Sequence, residues 1–575
     1  MLTGNTNDAS SLSGNDRHGA KSACQGEAEG RRFGRVTAAV HSATLSGATG
    51  RPVVVEVHDS GGLPGFTIVG LPDTAVREAR DRVRAALLSS GFAWPQRRVT
   101  VNLAPSAVRK VGAGLDLPIA LGVLVAVGEL PPSSLEGVAF VGELGLDGSL
   151  RHVPGTIALA QAVDAERIVV PVCDLSEAAA VRPGQTFGMP SLRALAEVLR
   201  GAEPWPPAAS TSRTRASGTR SWPDSHVEGD AWSARAAARY GDLADIRGQR
   251  VGRRAVEVAA AGGHHLLLVG PPGSGKTMLA RRLVGLLPPL SLAEALEVTR
   301  VHSAAGMLAP EGGIVWDPPL RAPHHGASTV SLVGGGTAAM RPGEISLATN
   351  GVLFLDEMGE FSATVLDALR QPLEEGVVRV SRARGTADFP AAFLLVGAMN
   401  PCPCGEGGPR GACRCSPAAR ARYVRRLSGP LLDRFDLVVG LRRTSPEELL
   451  APGAGERTAA VAARVAGVRR LARSRGVRCN AAIPASRLAA VAPLSPDGSA
   501  LLERAVRAGR LSGRGVDRVR RVARTIADLA CASAGGGART IADPACASAG
   551  GVVSEEHVAE ALALRAGIEV LEPSP

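Results

Sequence analysis

At 575 residues the chain is long enough for three or four domains of ~100–200 residues each, and its 45% hydrophobic content supplies the cores they need. A net charge of +11 and a pI near 9.8 permit nucleic-acid binding without requiring it. The longest apolar stretch, Leu117–Val127, is too short to cross a bilayer, and no basic n-region with an apolar h-region opens the sequence; with nine cysteines arranged as one tight cluster and several singles, the expectation is a cytoplasmic protein in a reducing compartment.

Residues 1–33 are rich in Ser, Gly, Asn and Asp, carry no apolar period and read as a disordered extension. From 34 to 200 the pattern is α/β. Val53–Val57 and Phe66–Val69 read as strands, Ala75–Ser90 as a helix, Val99–Asn102 as a strand and Leu115–Val127 as a buried helix. Residues 201–238, rich in Pro, Ser, Thr and Gly, read as a linker. Trp205, Trp222 and Trp232 fall within it, and isolated tryptophans there are open to docking or to no role. A nucleotide-binding pattern occupies 239–445. From 446 to 575 it turns helical, with helices expected at Ala459–Arg475, Ser486–Ala492, Ser499–Leu511, Asp517–Ala530 and Ser554–Arg565.

The centre of the chain is His265–Ala280. Leu266–Val269 suits a buried strand. Gly270-Pro271-Pro272-Gly273-Ser274-Gly275-Lys276-Thr277 fits G-x-x-x-x-G-K-[ST], and Met278–Leu287 reads as an amphipathic helix. Glycines let such a loop turn successive N–H groups onto phosphate oxygens, and the helix start favours an anion. Lys276 would reach the β/γ-phosphates of ATP, and Thr277 would offer its hydroxyl to Mg²⁺. A chance glycine turn is the competing reading, and the flanking strand and helix argue against it. The chain has only three lysines, Lys21, Lys110 and Lys276, among 65 basic residues; Lys stands here because a compact ammonium suits phosphate where a forked guanidinium is bulky.

Gly351–Glu357 is an apolar strand ending in adjacent acids. Asp356 would orient Mg²⁺ and its waters, and Glu357 would polarise the attacking water. Phe393–Ala398 is a third strand, ending at Met399-Asn400, where a neutral amide would hold that water without adding charge. Cys402, Cys404, Cys413 and Cys415 form two C-x-C pairs with eight residues between them. They are open to Zn²⁺, to a redox pair or to free thiols in a Gly/Pro loop. Arg410, Arg414, Arg420, Arg422, Arg425 and Arg426 surround them, either as a phosphate-binding patch or as a solvated basic face. The adjacent His324 and His325 suggest metal at first glance, with a hydrogen-bonded turn as the alternative.

GLPGFTIVGLPDTAVREARDRVRAAL, RRVTVNLAPSAVRKVGAGLDLPIALGVL and FVGELGLDGSLRHVPG resemble the N-terminal domain of the YifB/ComM family of magnesium-chelatase-like AAA+ ATPases. The resemblance covers about 34–570. It implies an α/β fold in three parts: a Lon-protease-like (ribosomal S5 domain 2-like) domain over 34–200, an AAA+ P-loop NTPase core over 239–445, and a helical lid of the magnesium-chelatase C-terminal type over 446–575. Lon-type proteases use a Ser–Lys dyad. Laying their serine motif on Val111-Gly112-Ala113-Gly114 places Gly114 at the serine and Ile157 near the lysine, so no peptidase activity is expected.

The same resemblance makes Asn400 a sensor-1 residue and sets Leu243 and Ile246 near an adenine. It makes Ser428–Asp436 an arginine-finger segment, with Arg434 as the finger, Arg425 and Arg426 as neighbours, and a surface salt bridge as the bland alternative. A finger acting on the next subunit implies a homo-oligomer, by resemblance a hexamer. Leu511–Arg521 resembles a sensor-2 segment, with Arg514 first and Arg518 and Arg521 as alternates. The long region between Lys276 and Asp356 resembles the family's pore insert, in which Arg321, His324, His325 and Gly334–Gly336 are candidates for strand contact; Gly326 and Thr349 depart from the family's usual Thr and His there. Ala523–Gly536 recurs as Ala538–Gly551, a tandem duplication read as an inserted surface loop.

Members of this family look like ring helicases that drive branch migration, which implies a DNA-remodelling motor that hydrolyses ATP. A chelatase-type or chaperone-type ATPase acting on a protein partner is the alternative. A nucleotide-gated scaffold would need dead catalytic residues, whereas Lys276, Asp356, Glu357, Asn400 and Arg434 are all present.

Overall fold

The computed structural model describes residues 38–60, 62–209, 228–308, 313–336, 340–382, 385–406, 413–450, 455–534 and 551–568. The expected N-terminal extension, Trp222, Arg410 and most of the second copy of the duplication lie outside them. No described helix is long and apolar enough to cross a membrane.

The N-terminal part is built on a seven-stranded mixed sheet, in the order Gly65–Val69, Arg98–Ala104, Thr49–Ser60, Ala38–Ser46, Val138–Phe140, Arg167–Pro171, Thr186–Met189. Period-2 alternation drives the strands: Val99, Val101 and Leu103 all point into the core. The helix Asp116–Ala126 is buried from Asp116 to Val125, as its all-round apolar sequence requires. It approaches the sheet so closely that a Cβ on Gly122 would lie 2.3 Å from Val57 Cγ2. At its start Arg82 Nε lies 2.7 Å from Asp116 Oδ2. Burial pushes the Asp116 carboxyl up to about 6, against the pull of Arg82. The two positions singled out for a protease dyad are packing positions. A Cβ on Gly114 would meet Val153 Cγ1 at 2.9 Å, and Ile157 is fully buried.

The central part carries a five-stranded sheet in the order Leu320–Arg321, Val352–Leu355, Leu394–Met399, Leu266–Val269, Leu437–Gly440, with every pairing parallel. Its three middle strands are wholly buried, which is why they read as unbroken apolar runs. Val269 pairs with both Met399 and Gly440. The loops leaving these strands therefore share the carboxyl edge of the sheet, where open α/β sheets place ligands.

The C-terminal helices Thr458–Ser474, Ala485–Val491, Pro496–Arg507, Gly513–Ala534 and Glu555–Ala563 share one core with this sheet. Val465, Val468, Ile526 and Leu529 pack in the same cluster as Val256, Leu266 and Val396. Leu243 and Ile246, expected beside an adenine, are buried in it too.

Two elements differ from the sequence reading. The stretch 201–238, read as linker, runs into a helix, Glu228–Tyr240. Trp232, Ala236 and Tyr240 recur at four-residue spacing, and Trp232 is buried with its Nε1 donating to Leu287 O at 2.7 Å. Trp205 also docks, its ring 5.0 Å from Phe187. The second difference is an antiparallel hairpin, Val377–Arg382 with Gly385–Pro390, whose Val378, Val380, Ala387 and Phe389 face the core. A joint ties the N-terminal part to the central one. Gly155 N donates to Ser303 Oγ at 2.9 Å, Ser303 Oγ donates to the buried Glu177 carboxylate, and Ile157 N donates to the same oxygen at 2.9 Å.

Candidate nucleotide site

The loop after Leu266–Val269 curls because Gly273 and Gly275 adopt left-handed φ of 75° and 83°. Helix Lys276–Val284 starts directly behind it. Lys276 Nζ turns back over the loop and donates to Gly270 O at 2.7 Å, Pro271 O at 2.9 Å and Asn400 Oδ1 at 3.1 Å. Burial lowers the pKa of this ammonium, and Asp356 and Glu357 oppose the shift. Thr277 Oγ1 donates to Asp356 Oδ2 at 2.9 Å, and Glu357 N donates to Asp356 Oδ1 at 3.0 Å. Three segments distant in sequence are thereby joined at the carboxyl edge of three adjacent strands. Glu357 is exposed and held at a φ of 50°, a strained value for a non-glycine residue.

His325 Nδ1 lies 3.1 Å from Glu357 Oε2. His324 Nδ1 accepts from Gly326 N at 3.1 Å, and the two rings stack with centroids 4.1 Å apart. The histidine pair is thus a hydrogen-bonded turn that touches the acid. Among the described residues, the one group of three or more His, Cys, Asp or Glu able to hold a metal is the four-cysteine cluster. Arg321 is engaged by Glu344 through two contacts, at 2.6 and 2.8 Å.

The arginines gather elsewhere. Arg434 precedes Leu437–Gly440, at the amino edge of the sheet, one four-residue strand or about 13 Å from the carboxyl edge. It is buried and paired with Glu374. Arg514 Nη1 stands 4.0 Å from the same Glu374. Arg518 Nη1 donates to Arg434 O at 2.8 Å and to Asp436 Oδ1 at 3.0 Å. Leu373, Glu374, Arg434, Arg514 and Arg518 line an open cleft of about 380 Å³. Burial, then Arg514, Arg518 and Arg370 nearby, lowers the Arg434 pKa. Arg434 Nε and Arg518 Nε are buried without a hydrogen-bond partner among the described residues.

Arg514 therefore sits with Arg434 and not over the loop that holds Lys276. Arg521 is spent on Ile483 O at 2.9 Å. Of the other arginines, Arg426 binds Gly359 O at 2.7 Å and Glu360 Oε2 at 3.1 Å, and Arg425 Nε bonds Ala421 O at 3.2 Å on its own helix. Sequence reasoning missed two exposed apolar side chains on the helices flanking the loop, Val251 and Met278. What sets them apart is exposure, which the sequence does not show.

Residues 242–449 match the family model described as "Magnesium chelatase, subunit ChlI", residues 55–174 that of "Subunit ChlI of Mg-chelatase", and residues 455–534 that of "Magnesium chelatase, subunit ChlI C-terminal". The chain is 42% identical over 544 residues to the competence protein ComM of Haemophilus influenzae, covering 93% of this chain and 98% of that one. It is 39% identical over 538 residues to the uncharacterized protein YifB of Escherichia coli, covering 92% and 96%. It is 43% identical over 504 residues to an uncharacterized protein of Mycobacterium tuberculosis, covering 86% and 95%.

Proposed function

The chain belongs to the YifB/ComM family of magnesium-chelatase-like AAA+ ATPases, and on that premise we propose that it hydrolyses ATP in a ring, hexameric by its family resemblance, to remodel DNA during recombination of incoming strands. The observation that carries the ATPase reading is the convergence of Lys276, Thr277, Asp356 and Asn400 through two direct hydrogen bonds, Lys276 to Asn400 and Thr277 to Asp356. The donor set fits a nucleotide triphosphate with Mg²⁺. Lys276 and the N–H groups of Gly273–Thr277 bind the phosphates, Thr277 and Asp356 hold the metal, and Met278 and Val251 cover the base. Bound Mg²⁺ would offset phosphate charge. Glu357 orients and deprotonates the attacking water, and Asn400 fixes its position.

Arg434 and Arg514, on the opposite edge of the sheet, serve the neighbouring subunit's nucleotide, which makes the oligomer part of the site. The N-terminal part is a Lon-like domain without a dyad, and its role is structural or oligomerising; the C-terminal helices act as the lid.

DNA as the substrate is supported by the competence protein among the relatives, by the net charge of +11, and by the two arginines in the sequence between Ser381 and Thr386, Arg382 and Arg384. The deciding experiment measures ATPase rate with single-stranded, duplex and four-way-junction DNA across a salt series, with Glu357→Gln as the dead control. Stimulation that weakens with salt supports the motor. Robust hydrolysis indifferent to every DNA rejects it and favours a protein client, to be captured with ATP-bound Glu357→Gln.

A further inference from the structure

We propose that Cys402, Cys404, Cys413 and Cys415 bind one zinc ion through four thiolates, and that this ion braces the turn joining Asn400 to the phosphate loop. The second half rests on the nucleotide site proposed above; the first does not.

The ligand atoms of all four residues lie within 4.8 Å of one another. Cys402 Sγ is 3.3 Å from Cys404 Sγ and 3.5 Å from Cys413 Sγ, and Cys404 Sγ is 3.7 Å from Cys413 Sγ. A tetrahedral ion with Zn–S bonds of about 2.3 Å has S···S edges of about 3.8 Å, close to this spacing. Core packing does not explain the cluster. Only Cys402 is buried, Cys404 is exposed, and the surrounding chain is Pro, Gly and Arg. Four thiolates around a divalent ion leave net negative charge, and Arg414, Arg420 and Arg422 lie in the adjoining sequence.

The cluster abuts the nucleotide site. Gly405, next to Cys404, turns with a φ of 81° and donates its N–H to Cys402 O at 3.0 Å. A Cβ there would lie 2.8 Å from Pro272 Cγ and 3.8 Å from Asn400 Nδ2. The backbone of the cysteine turn thus forms one wall of the loop that carries Lys276, and Asn400 stands two residues before the first ligand. A metal that fixes the turn fixes both.

The test uses the full chain purified under reducing conditions from zinc-supplemented cells. Elemental analysis should find about one zinc per chain in the wild type and in Cys173→Ser, an exposed cysteine elsewhere. It should find almost none in Cys413→Ser/Cys415→Ser. Cobalt exchanged into the wild type should give the visible bands of a tetrahedral thiolate site, and these should vanish in the double variant. A folded wild type without zinc, iron in its place, or full zinc retention by the double variant overturns the assignment. ATP affinity of the zinc-free protein, with its fold checked by circular dichroism, should drop roughly tenfold, the scale of a lost positioning shell. Unchanged affinity overturns the bracing role. If the zinc-loaded wild type binds no ATP at all, the nucleotide reading fails while the metal site stands.

Discussion

His325 Nδ1 sits 3.1 Å from Glu357 Oε2, so the residue proposed to activate water is held by a side chain of the insert region. Both groups are partly exposed, which limits such a pair to about 1 kcal/mol. His325→Ala should therefore raise the ATPase rate without DNA by no more than about fivefold. If DNA stimulates hydrolysis as proposed, His325→Ala should also shrink that stimulation, because the restraint DNA would relieve is already gone. Steady-state ATPase with and without DNA checks this; a lower basal rate with normal stimulation would reject the restraining role.

Arg434 shares Glu374 with Arg514, and this carboxylate is the one that must let go if the arginines are to meet a neighbour's phosphates. Arg434→Ala should cost about 10³-fold in turnover, the scale of an arginine finger. Glu374→Gln should leave turnover within about tenfold of wild type. Lys276→Ala and Arg434→Ala proteins, each inactive, should regain partial activity when mixed. Failure of the mixture despite proven co-assembly would show that Arg434 does not act across subunits.

His265 accepts a hydrogen bond from Leu395 N at 3.0 Å through Nδ1, so the folded chain holds it neutral. Burial pulls its pKa down from 6.5 to about 4. A depressed histidine favours the folded state fully above about pH 6.5, and that contribution is lost as pH falls toward about 4. Thermal unfolding followed between pH 7.5 and 4 should decline more steeply for wild type than for His265→Asn, whose amide oxygen can accept the same bond without titrating. Parallel curves would remove His265 from the account.

Trp232→Ala should destabilise the central part by about 3–5 kcal/mol, because it empties a buried indole site and leaves Leu287 O without its donor. Trp232→Phe keeps most of the packing and should cost about 1–2 kcal/mol. Denaturant unfolding monitored on the two variants separates these; equal, negligible losses would mean that the helix Glu228–Tyr240 adds nothing to the core.

The strands and glycines of the nucleotide site were legible because local chemistry dictates them. Wholly buried parallel strands must be apolar throughout, and a phosphate loop must carry glycine where φ turns positive, as at Gly273 and Gly275. Expected helices such as Leu115–Val127 and Ala75–Ser90 fall within one residue at each end of the observed Asp116–Ala126 and Thr74–Ser89. What escaped depended on partners distant in sequence. The helix Glu228–Tyr240 offers only Trp232 and Tyr240 as large apolar residues among alanines and charges, and it docks through contacts such as Trp232 Nε1 to Leu287 O. The hairpin at 377–390 has short alternation that a strand-and-helix reading passes over. The resemblance names Arg514 as a sensor-2 residue but does not say which residues surround it; the helix Gly513–Ala534 presents it beside Arg434 and Glu374.

The Ser303–Glu177 joint gives the molecule a lever. Ser303 lies in the last turn of Leu292–Ala304, a rod of 13 residues and about 20 Å, and just beyond it the chain enters the insert that returns to Glu357 through His325. The joint therefore couples the start of the insert directly to Gly155 and, through Glu177, to Ile157, at the head of the helix Thr156–Ala162 of the N-terminal part. A shift on either side of Ser303 is felt on the other, because one serine hydroxyl is held between the Gly155 N–H and the Glu177 carboxylate.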